Sequence, residues 1–234
     1  MPTRRRIIIY QIFKMTIFGA FLFGCVEPIA TPSPDQMDKS PFTGIPCAAP
    51  CWNGLEVGKS SESDVMSTMP TLGFINQDTV DVYQVLSMPS IDPDIWSRGV
   101  KVIANCIQPN KQCLTISIVN DILTEIVITL NYELEMKEAI EQLGNPDYVG
   151  FDRAGGELVA CRVYLIWNEK QLVLASKIFE GPNAAEKNCF IIRDTGKVSL
   201  NILVSEAKYL SIPAIEELLL SSASEFFEFT GTIP

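Results

Sequence analysis

Six cysteines that follow residue 46 restrict the folds open to this chain, because cross-links between them would fix which segments lie side by side. An even number of cysteines is typical of disulfide bridges in an oxidising compartment. Six cysteines allow fifteen connectivities, and their positions along the chain favour local pairing. We therefore predict three bridges: Cys47–Cys51, Cys106–Cys113 and Cys161–Cys189.

Zinc binding is the competing interpretation of these cysteines. Neither the spacing CAAPC nor the six residues between Cys106 and Cys113 is usual for zinc ligands, and the sequence contains no histidine. We therefore expect disulfides and no metal site. No motif in the sequence predicts a cofactor.

The first 24 residues have the zones of an export signal. The charged side chains before Cys25 are all basic: Arg4, Arg5, Arg6 and Lys14. Residues 15–24 (MTIFGAFLFG) form an uncharged run that is much shorter than the roughly twenty residues of a membrane-spanning helix. Residues 1–24 are therefore predicted to be a cleaved signal peptide. The alternative is an uncleaved anchor that extends back to Ile7 and places Lys14 inside the membrane.

The apolar run ends in LFGC, residues 22–25, which resembles the lipobox of bacterial lipoproteins. In those proteins a small residue precedes a cysteine that receives diacylglycerol before the signal is cleaved. The resemblance implies that Cys25 is the mature N-terminus and that its lipid holds the protein on the extracytoplasmic surface of a membrane. Five prolines between residues 25 and 46 keep that segment extended, so it is predicted to be a tether.

The charge of the exported chain limits its partners. Four of the 18 basic residues lie before Cys25, whereas all 28 acidic residues follow it, which leaves a formal charge of about −14. Such a chain repels nucleic acid and avoids anionic lipid headgroups. The expected partners are the membrane, through the lipid on Cys25, and a protein or polymer of the cell envelope.

The residues from about 47 onwards show helical and strand-like periodicities in turn. A short helix is predicted over 61–69 and a second over 133–144, where Gly144-Asn145-Pro146 ends it. Strands are predicted after the first helix in TVDVYQVL, VKVIANC, CLTISIV and ILTEIVITL, and after the second in LVACRVYLIW, QLVLASKIF, CFIIR and KVSLNILV. A final helix is predicted from about 213 to 226.

This order of elements predicts an α+β fold with an internal duplication. We expect two small modules in tandem, residues 47–131 and 132–234, each with a helix and an antiparallel sheet, and the second with a C-terminal helix. Val65 precedes Leu72-Gly73 by seven residues, as Met136 precedes Leu143-Gly144. The two sheets are expected to join or abut.

Two short motifs resemble those of envelope lipoproteins. The segment PCWNGLEVGKSSESDV, with Pro50, Cys51, Trp52 and Gly54, resembles the start of uncharacterised bacterial lipoproteins that carry Pro-Cys-Trp-x-Gly. The segment EAIEQLGNPDYV is similar to the helix-to-strand junction of SmpA/OmlA-type lipoproteins and of β-lactamase-inhibitor-like modules. These resemblances imply a binding or scaffold role in the cell envelope, and they transfer no catalytic residue.

The absence of histidine removes the commonest general base near neutral pH, and with it the Ser-His and Cys-His nucleophile systems. Paired carboxylates remain as candidates for acid-base chemistry: Asp92 with Asp94, Glu133 with Glu135, and Glu216 with Glu217. Solvated surface acids explain each pair more simply. No catalytic residue is therefore predicted.

The favoured function is that of a non-enzymatic, lipid-anchored envelope protein that binds or supports a partner. The alternatives are an extracytoplasmic hydrolase that uses carboxylates and a carbohydrate-binding module that stacks sugars on Trp52, Trp96 or Trp167. Core packing is the simpler explanation for Trp52 and Trp167. Trp96 lies in SMPSIDPDIWSRG, where prolines and charges disfavour burial, so it is predicted to belong to a partner-binding surface. The alternative is that Trp96 folds back over the edge of the sheet and covers the core.

Overall fold

A computed structural model describes residues 40–44, 46–87, 97–107, 110–154, 160–181, 189, 192, 195–221 and 224–233. These residues belong to one compact unit, which spans residues 36–234. The predicted signal peptide, the predicted lipid site Cys25 and the predicted contact residue Trp96 lie outside the described residues.

The described residues form both helices and strands, with strands predominating, so the predicted α+β class is confirmed. The α-helices are α1 (Ser40–Thr43), α2 (Glu62–Thr68), α3 (Met136–Leu143) and α4 (Ile212–Leu220). The strands are β1 (Cys51–Trp52), β2 (Leu55–Glu56), β3 (Asp81–Ser87), β4 (Ser97–Asn105), β5 (Gln112–Val119), β6 (Ile122–Thr129), β7 (Tyr148–Ala154), β8 (Ala160–Trp167), β9 (Leu172–Ser176), β10 (Phe179–Glu180), β11 (Lys197–Ser199), β12 (Val204–Leu210), β13 (Ser224–Glu228) and β14 (Gly231–Ile233).

One antiparallel sheet organises the fold. Its strands follow the order β13-β7-β8-β9-β12-β6-β5-β4-β3, and β10 pairs with β8 beside this path. Strands from both predicted modules therefore share a sheet, and they meet where β6 pairs with β12. One row of directly paired residues crosses the whole sheet: Asp81, Ile103, Thr115, Val127, Lys208, Val173, Ile166, Tyr148 and Glu228.

The helices α2 and α3 pack on one face of this sheet, which we call the inner face. Val65 of α2 and Ala139 of α3 are fully buried in the same core as Ile116, Ile126 and Tyr209 of the strands. Because side chains alternate between the two faces of a strand, the row that contains Val127 and Lys208 lies on the opposite face, which we call the outer face.

Local signals place both inner-face helices where the sequence predicts them. Ser61 caps α2, where its hydroxyl accepts a hydrogen bond from the Asp64 N–H (3.2 Å), and the Asp64 carboxylate accepts one in return from the Ser61 N–H (2.8 Å). At the start of α3 the Glu138 carboxylate accepts a hydrogen bond from the Glu135 N–H (3.3 Å). Asn120 and Asp121 form the turn between β5 and β6, and both have positive φ, as a two-residue hairpin turn of type I′ requires.

The C-terminal third differs from its prediction. The predicted helix over 213–226 ends at Leu220, and residues 224–228 form strand β13 instead. Strand β7 has no counterpart among the predicted strands. In the predicted strand CFIIR the described residues Cys189 and Ile192 are helical, and KVSLNILV is divided between β11 and the start of β12. Short apolar runs of this kind fit a buried strand and a buried helical turn equally well, so periodicity could not separate them.

The structure forms the three predicted disulfides. Cα–Cα distances are 5.6 Å for Cys47–Cys51, 5.6 Å for Cys106–Cys113 and 6.6 Å for Cys161–Cys189. The first bridge joins Cys47 to the first residue of β1 and is half-buried, whereas the cysteines of the other two bridges are buried in the core. The Cys106–Cys113 bridge joins the residue that follows β4 to β5, and the Cys161–Cys189 bridge joins β8 to the segment that contains residue 189.

Candidate partner-binding surface

The outer face is open over its first half, strands β3–β6. Thr115 and Ser117 of β5 and Val127 of β6 are only half-buried, and Lys101 of β4 is exposed. At the edge of the sheet Tyr83 is 47% exposed, and its hydroxyl donates a hydrogen bond to Asp81 (3.3 Å). This half therefore presents small polar side chains with a few apolar ones between them.

Helix α4 covers the outer face of the second half. Ile215 of α4 is buried in a separate apolar cluster with Tyr164, Ile166 and Val173 of the strands. Phe226 of β13 joins this cluster, with its ring 6.2 Å from that of Tyr164.

The Phe226 ring fits against Tyr164 because the facing residue of β7 is a glycine. A Cβ at Gly150 of β7 would lie 2.2 Å from the Phe226 ring, so only glycine leaves room for it. The second half of the outer face is thus closed by the chain itself.

Polar residues mark the boundary between the two halves. The guanidinium of Arg162 lies 2.8 Å from Glu206 and donates hydrogen bonds to the Ser176 carbonyl (2.8 Å) and the Ser205 hydroxyl (3.2 Å). Burial alone lowers the pKa of Arg162, but the hydrogen bond and the charge of Glu206 outweigh it and raise the pKa. Lys208 lies 3.6 Å from the same Glu206 carboxylate group. Glu206 is therefore balanced by two cations.

A groove runs along this boundary, between α4 and the open half of the outer face, and we call it the α4 groove. It has a volume of about 940 Å³. Its floor comes from β6 and β12, and its far wall from α4. Its lining residues are Thr124, Glu125, Tyr164, Lys208, Leu210, Pro213, Ala214, Glu216, Glu217, Leu218, Leu220 and Ser221.

The structure brings one predicted carboxylate pair into this groove. Glu216 and Glu217 are both exposed on α4. Glu133 is also exposed, but Glu135 lies at the start of α3, where it pairs with Leu203 as an isolated bridge. Asp92 and Asp94 lie outside the described residues.

Two of the three tryptophans are core residues. Trp52 is fully buried and packs edge-to-face on Phe74, with ring centroids 6.3 Å apart. Trp167 is buried, and its indole N–H donates a hydrogen bond to the Gly144 carbonyl (3.0 Å). Neither ring is available to stack on a sugar.

Sequence reasoning did not identify the strand residues of the groove. Glu125 of β6 lies far along the chain from Lys208 and Leu210 of β12, and it meets them only because β6 pairs with β12. The local signal that could have pointed to them is a charged side chain within a largely apolar strand, Glu125 in β6 and Lys208 in β12.

Neither a metal centre nor a membrane span is found in the described part of the chain. No group of three or more histidine, cysteine, aspartate or glutamate side chains there could hold a metal ion. No helix within the described ranges is both long enough and apolar enough to cross a membrane.

Comparison with known proteins gives no family for this chain: no family model matches it, and neither a curated protein nor a solved structure shows a significant match.

Proposed function

We propose that this chain is a lipid-anchored, extracytoplasmic binding protein without catalytic activity of its own, and that its partner is a protein of the cell envelope. The order of the N-terminal zones supports export, and the LFGC motif supports a lipid on Cys25. The predicted tether, residues 25–46, would then link lipid and domain up to Ser40, where α1 begins and Phe42 packs against the core. The PCWNG segment supports the same assignment through its resemblance to bacterial lipoproteins.

The open first half of the outer face is the proposed binding surface. The observation that carries this proposal is that α4 covers only the second half, although one continuous sheet supplies both. The uncovered strands offer Tyr83, Ile103 and Val127 among hydroxyl-bearing side chains, which is the mixture of aromatic, aliphatic and polar groups that protein interfaces use. Their backbones are already paired within the sheet, so the surface is rigid before a partner arrives.

A tandem arrangement of two modules also belongs to this proposal. Strands β3, β4, β5 and β6 run from one edge of the sheet to its centre, and β7, β8, β9 and β12 run to the same place from the other side, where β13 is added outside β7. Each set is preceded by a helix on the inner face. This order is what a duplicated helix-plus-meander unit with a two-fold relation at β6 and β12 would produce.

Backbone hydrogen bonds near the helices support the same relation. Before α2, the Gly58 N–H donates to the Leu123 carbonyl (2.7 Å) and the Leu123 N–H to the Ser60 carbonyl (2.8 Å). At α3, the Met136 N–H donates to the Ile202 carbonyl (2.8 Å) and the Val204 N–H to the Leu134 carbonyl (2.8 Å). In each proposed module the chain entering the helix is thus tied to the beginning of the last strand.

Site-specific photocrosslinking in intact cells tests the binding surface. A photoreactive amino acid at Thr115, on the open face, should crosslink to one envelope protein, and Tyr83→Ser together with Ile103→Ser should abolish that product. The same label at Met66, which is exposed on α2, is the control. Equal crosslinking from both positions, or a Thr115 product that survives the double substitution, would contradict the proposed surface.

Replacement of Cys25 tests the anchor. Cys25→Ser should release the protein from the membrane fraction, because the lipid attachment site is lost, and mass spectrometry of the parent should find a lipid-modified Cys25 at the N-terminus. A Cys25→Ser protein that stays in the membrane with Met1 intact would show that residues 7–24 act as an uncleaved anchor instead.

A further inference from the structure

The α4 groove combines an apolar surface with acidic walls, and we propose that it binds a segment of a partner protein in which a leucine-like side chain is flanked by lysine or arginine. This inference deepens the proposed function and rests on it, because the groove borders the proposed binding surface. It goes beyond that function by stating the chemistry of the bound segment.

The apolar part of the groove is unusually accessible. Leu220 at the end of α4 is 86% exposed, the largest exposure among the large apolar side chains of the described residues. Leu218 is half-buried beside it, and Leu210 of β12 contributes to the floor. Covering a leucine of this kind with an apolar group of a partner would remove its surface from water, which favours binding.

The charged part of the groove selects a cation. Glu216 and Glu217 form no ion pair with any residue that the structure describes, and Glu125 on the floor accepts only a hydrogen bond from the Ser117 hydroxyl (3.2 Å). Lys208 is the one basic residue among the described lining residues, and Glu206 already lies 3.6 Å from its ammonium group. Three carboxylates therefore face the groove against the single cation of Lys208, so a basic segment is complementary and an acidic one is repelled.

The size of the groove indicates a segment of a few residues. A volume of about 940 Å³ lies at the upper end of the range for small-ligand sites, roughly 300 to 1,000 Å³. It accommodates a few side chains, while the rest of the partner would lie on the neighbouring open face. The α4 groove thus supplies specificity at one side of a larger contact.

Synthetic peptides test the proposed chemistry on the full-length protein in nanodiscs of neutral phosphatidylcholine, with empty nanodiscs as the blank. The probe is a fluorescent twelve-residue peptide of leucine and lysine. One control peptide has serine in place of leucine, and the other has glutamate in place of lysine. We expect anisotropy to report binding of the leucine–lysine peptide alone, with an affinity that falls as salt is added.

Substitutions in the groove should weaken this binding. Glu216→Gln with Glu217→Gln should raise Kd about three- to tenfold, since two charge contacts at a surface are lost. Leu220→Ser should raise Kd by a similar factor of about three to ten, because an apolar contact is lost. Leu220 is too exposed for its substitution to affect folding. Glu169→Gln with Glu180→Gln removes two exposed acids elsewhere and should change Kd less than about twofold.

The outcomes separate this inference from the proposed function. Two results with the peptides would overturn the inference: binding that the groove substitutions leave unchanged, and equal binding of the peptide that has glutamate in place of lysine. A third is binding of a sugar, tested with an oligoglucosamine, when no peptide that contains leucine binds. If no peptide binds while the Thr115 crosslink persists, the inference fails and the proposed surface stands. If the crosslink is also missing, both fail.

Discussion

The outer face of the sheet differs between its two halves, which meet at Lys208, although one row of paired residues runs through both. On one side the central row reads Val127, Thr115 and Ile103, and these side chains stay partly accessible. On the other side it begins with Val173 and Ile166, which are fully buried under α4. The same strand geometry thus produces a surface in one half and a second core in the other.

The strand sequences explain this difference. Strands β5 and β6 alternate apolar and polar residues, as expected for strands with one buried face, whereas β8 and β9 are apolar on both faces. A strand that is apolar on both faces needs a cover on each. The chain provides that second cover with α4 and β13 in the second half, and it leaves the first half open.

Removing one bridge from each half compares their stabilities, and removing the Cys161–Cys189 bridge should give the largest effect. Cys161→Ala with Cys189→Ala opens a loop with a sequence separation of 28, and Cys106→Ala with Cys113→Ala one with a separation of 7. Loop-closure entropy then predicts losses of about 3.5 and about 2.5 kcal/mol in the free energy of unfolding. Urea titration of both variants measures this, and a larger loss in the 106–113 variant would contradict the predicted order.

Shortening one isoleucine in each half compares packing directly. Ile166→Ala should cost about 3 kcal/mol, because it leaves a cavity beneath α4, whereas Ile103→Ala on the open face should cost less than about 1.5 kcal/mol. The two residues occupy the same row of the sheet. Ile103 lies two strands from Val127, and Ile166 lies on the strand next to that of Val173. Thermal unfolding in parallel checks this, and equal destabilisation would mean that the open half is also covered.

Two outer-face tyrosines extend the comparison to hydrogen bonds. Tyr164 donates to Asp152 (2.7 Å) from a buried position, and Tyr83 donates to Asp81 (3.3 Å) from an exposed one. Tyr164→Phe should therefore cost about 1 kcal/mol, since Asp152 loses its donor, and Tyr83→Phe less than about 0.5 kcal/mol. A reversed order in denaturant unfolding would argue against burial of Tyr164.

The stability at alkaline pH provides a further test of the burial of Tyr164. Burial first, and then the hydrogen bond and charge of Asp152, raise the pKa of Tyr164 above its ordinary value of 10.0. Because the folded state holds this proton more tightly, the stabilisation is complete below pH 10 and declines as the pH rises through the folded pKa. The parent should therefore lose stability above pH 10 more steeply than Tyr164→Phe. Equal slopes for the two proteins would contradict a raised pKa.

The sequence predicts local structure well where one face of an element is polar. Three features depend only on residues that are close together in the sequence: the alternation in β5 and β6, the Asn120-Asp121 turn and the cap at Ser61. They lead to the observed elements. The cysteine positions likewise indicate the three bridges, because close partners in sequence are the simplest to join.

The remaining features depend on contacts between distant segments. SEFFE continues the apolar pattern of the preceding helix, and only its pairing with β7 and the space above Gly150 make it a strand. The α4 groove depends on the pairing of β6 with β12, which no short motif encodes. The sequence identifies Glu216 and Glu217 as neighbouring acids on a helix. It does not show that they form the wall of a groove whose floor contains Leu210.

Thiol labelling at two matched positions tests the difference between the halves most directly. Val127 and Val173 flank Lys208 in the same row, one on the open side and one under α4. Under non-reducing conditions, which keep the native bridges closed, Val127→Cys should react with a maleimide at least about a hundredfold faster than Val173→Cys, which becomes accessible only when α4 opens or the protein unfolds. Similar labelling rates at the two positions would contradict the account, because the first half would then be no more open to a partner than the second.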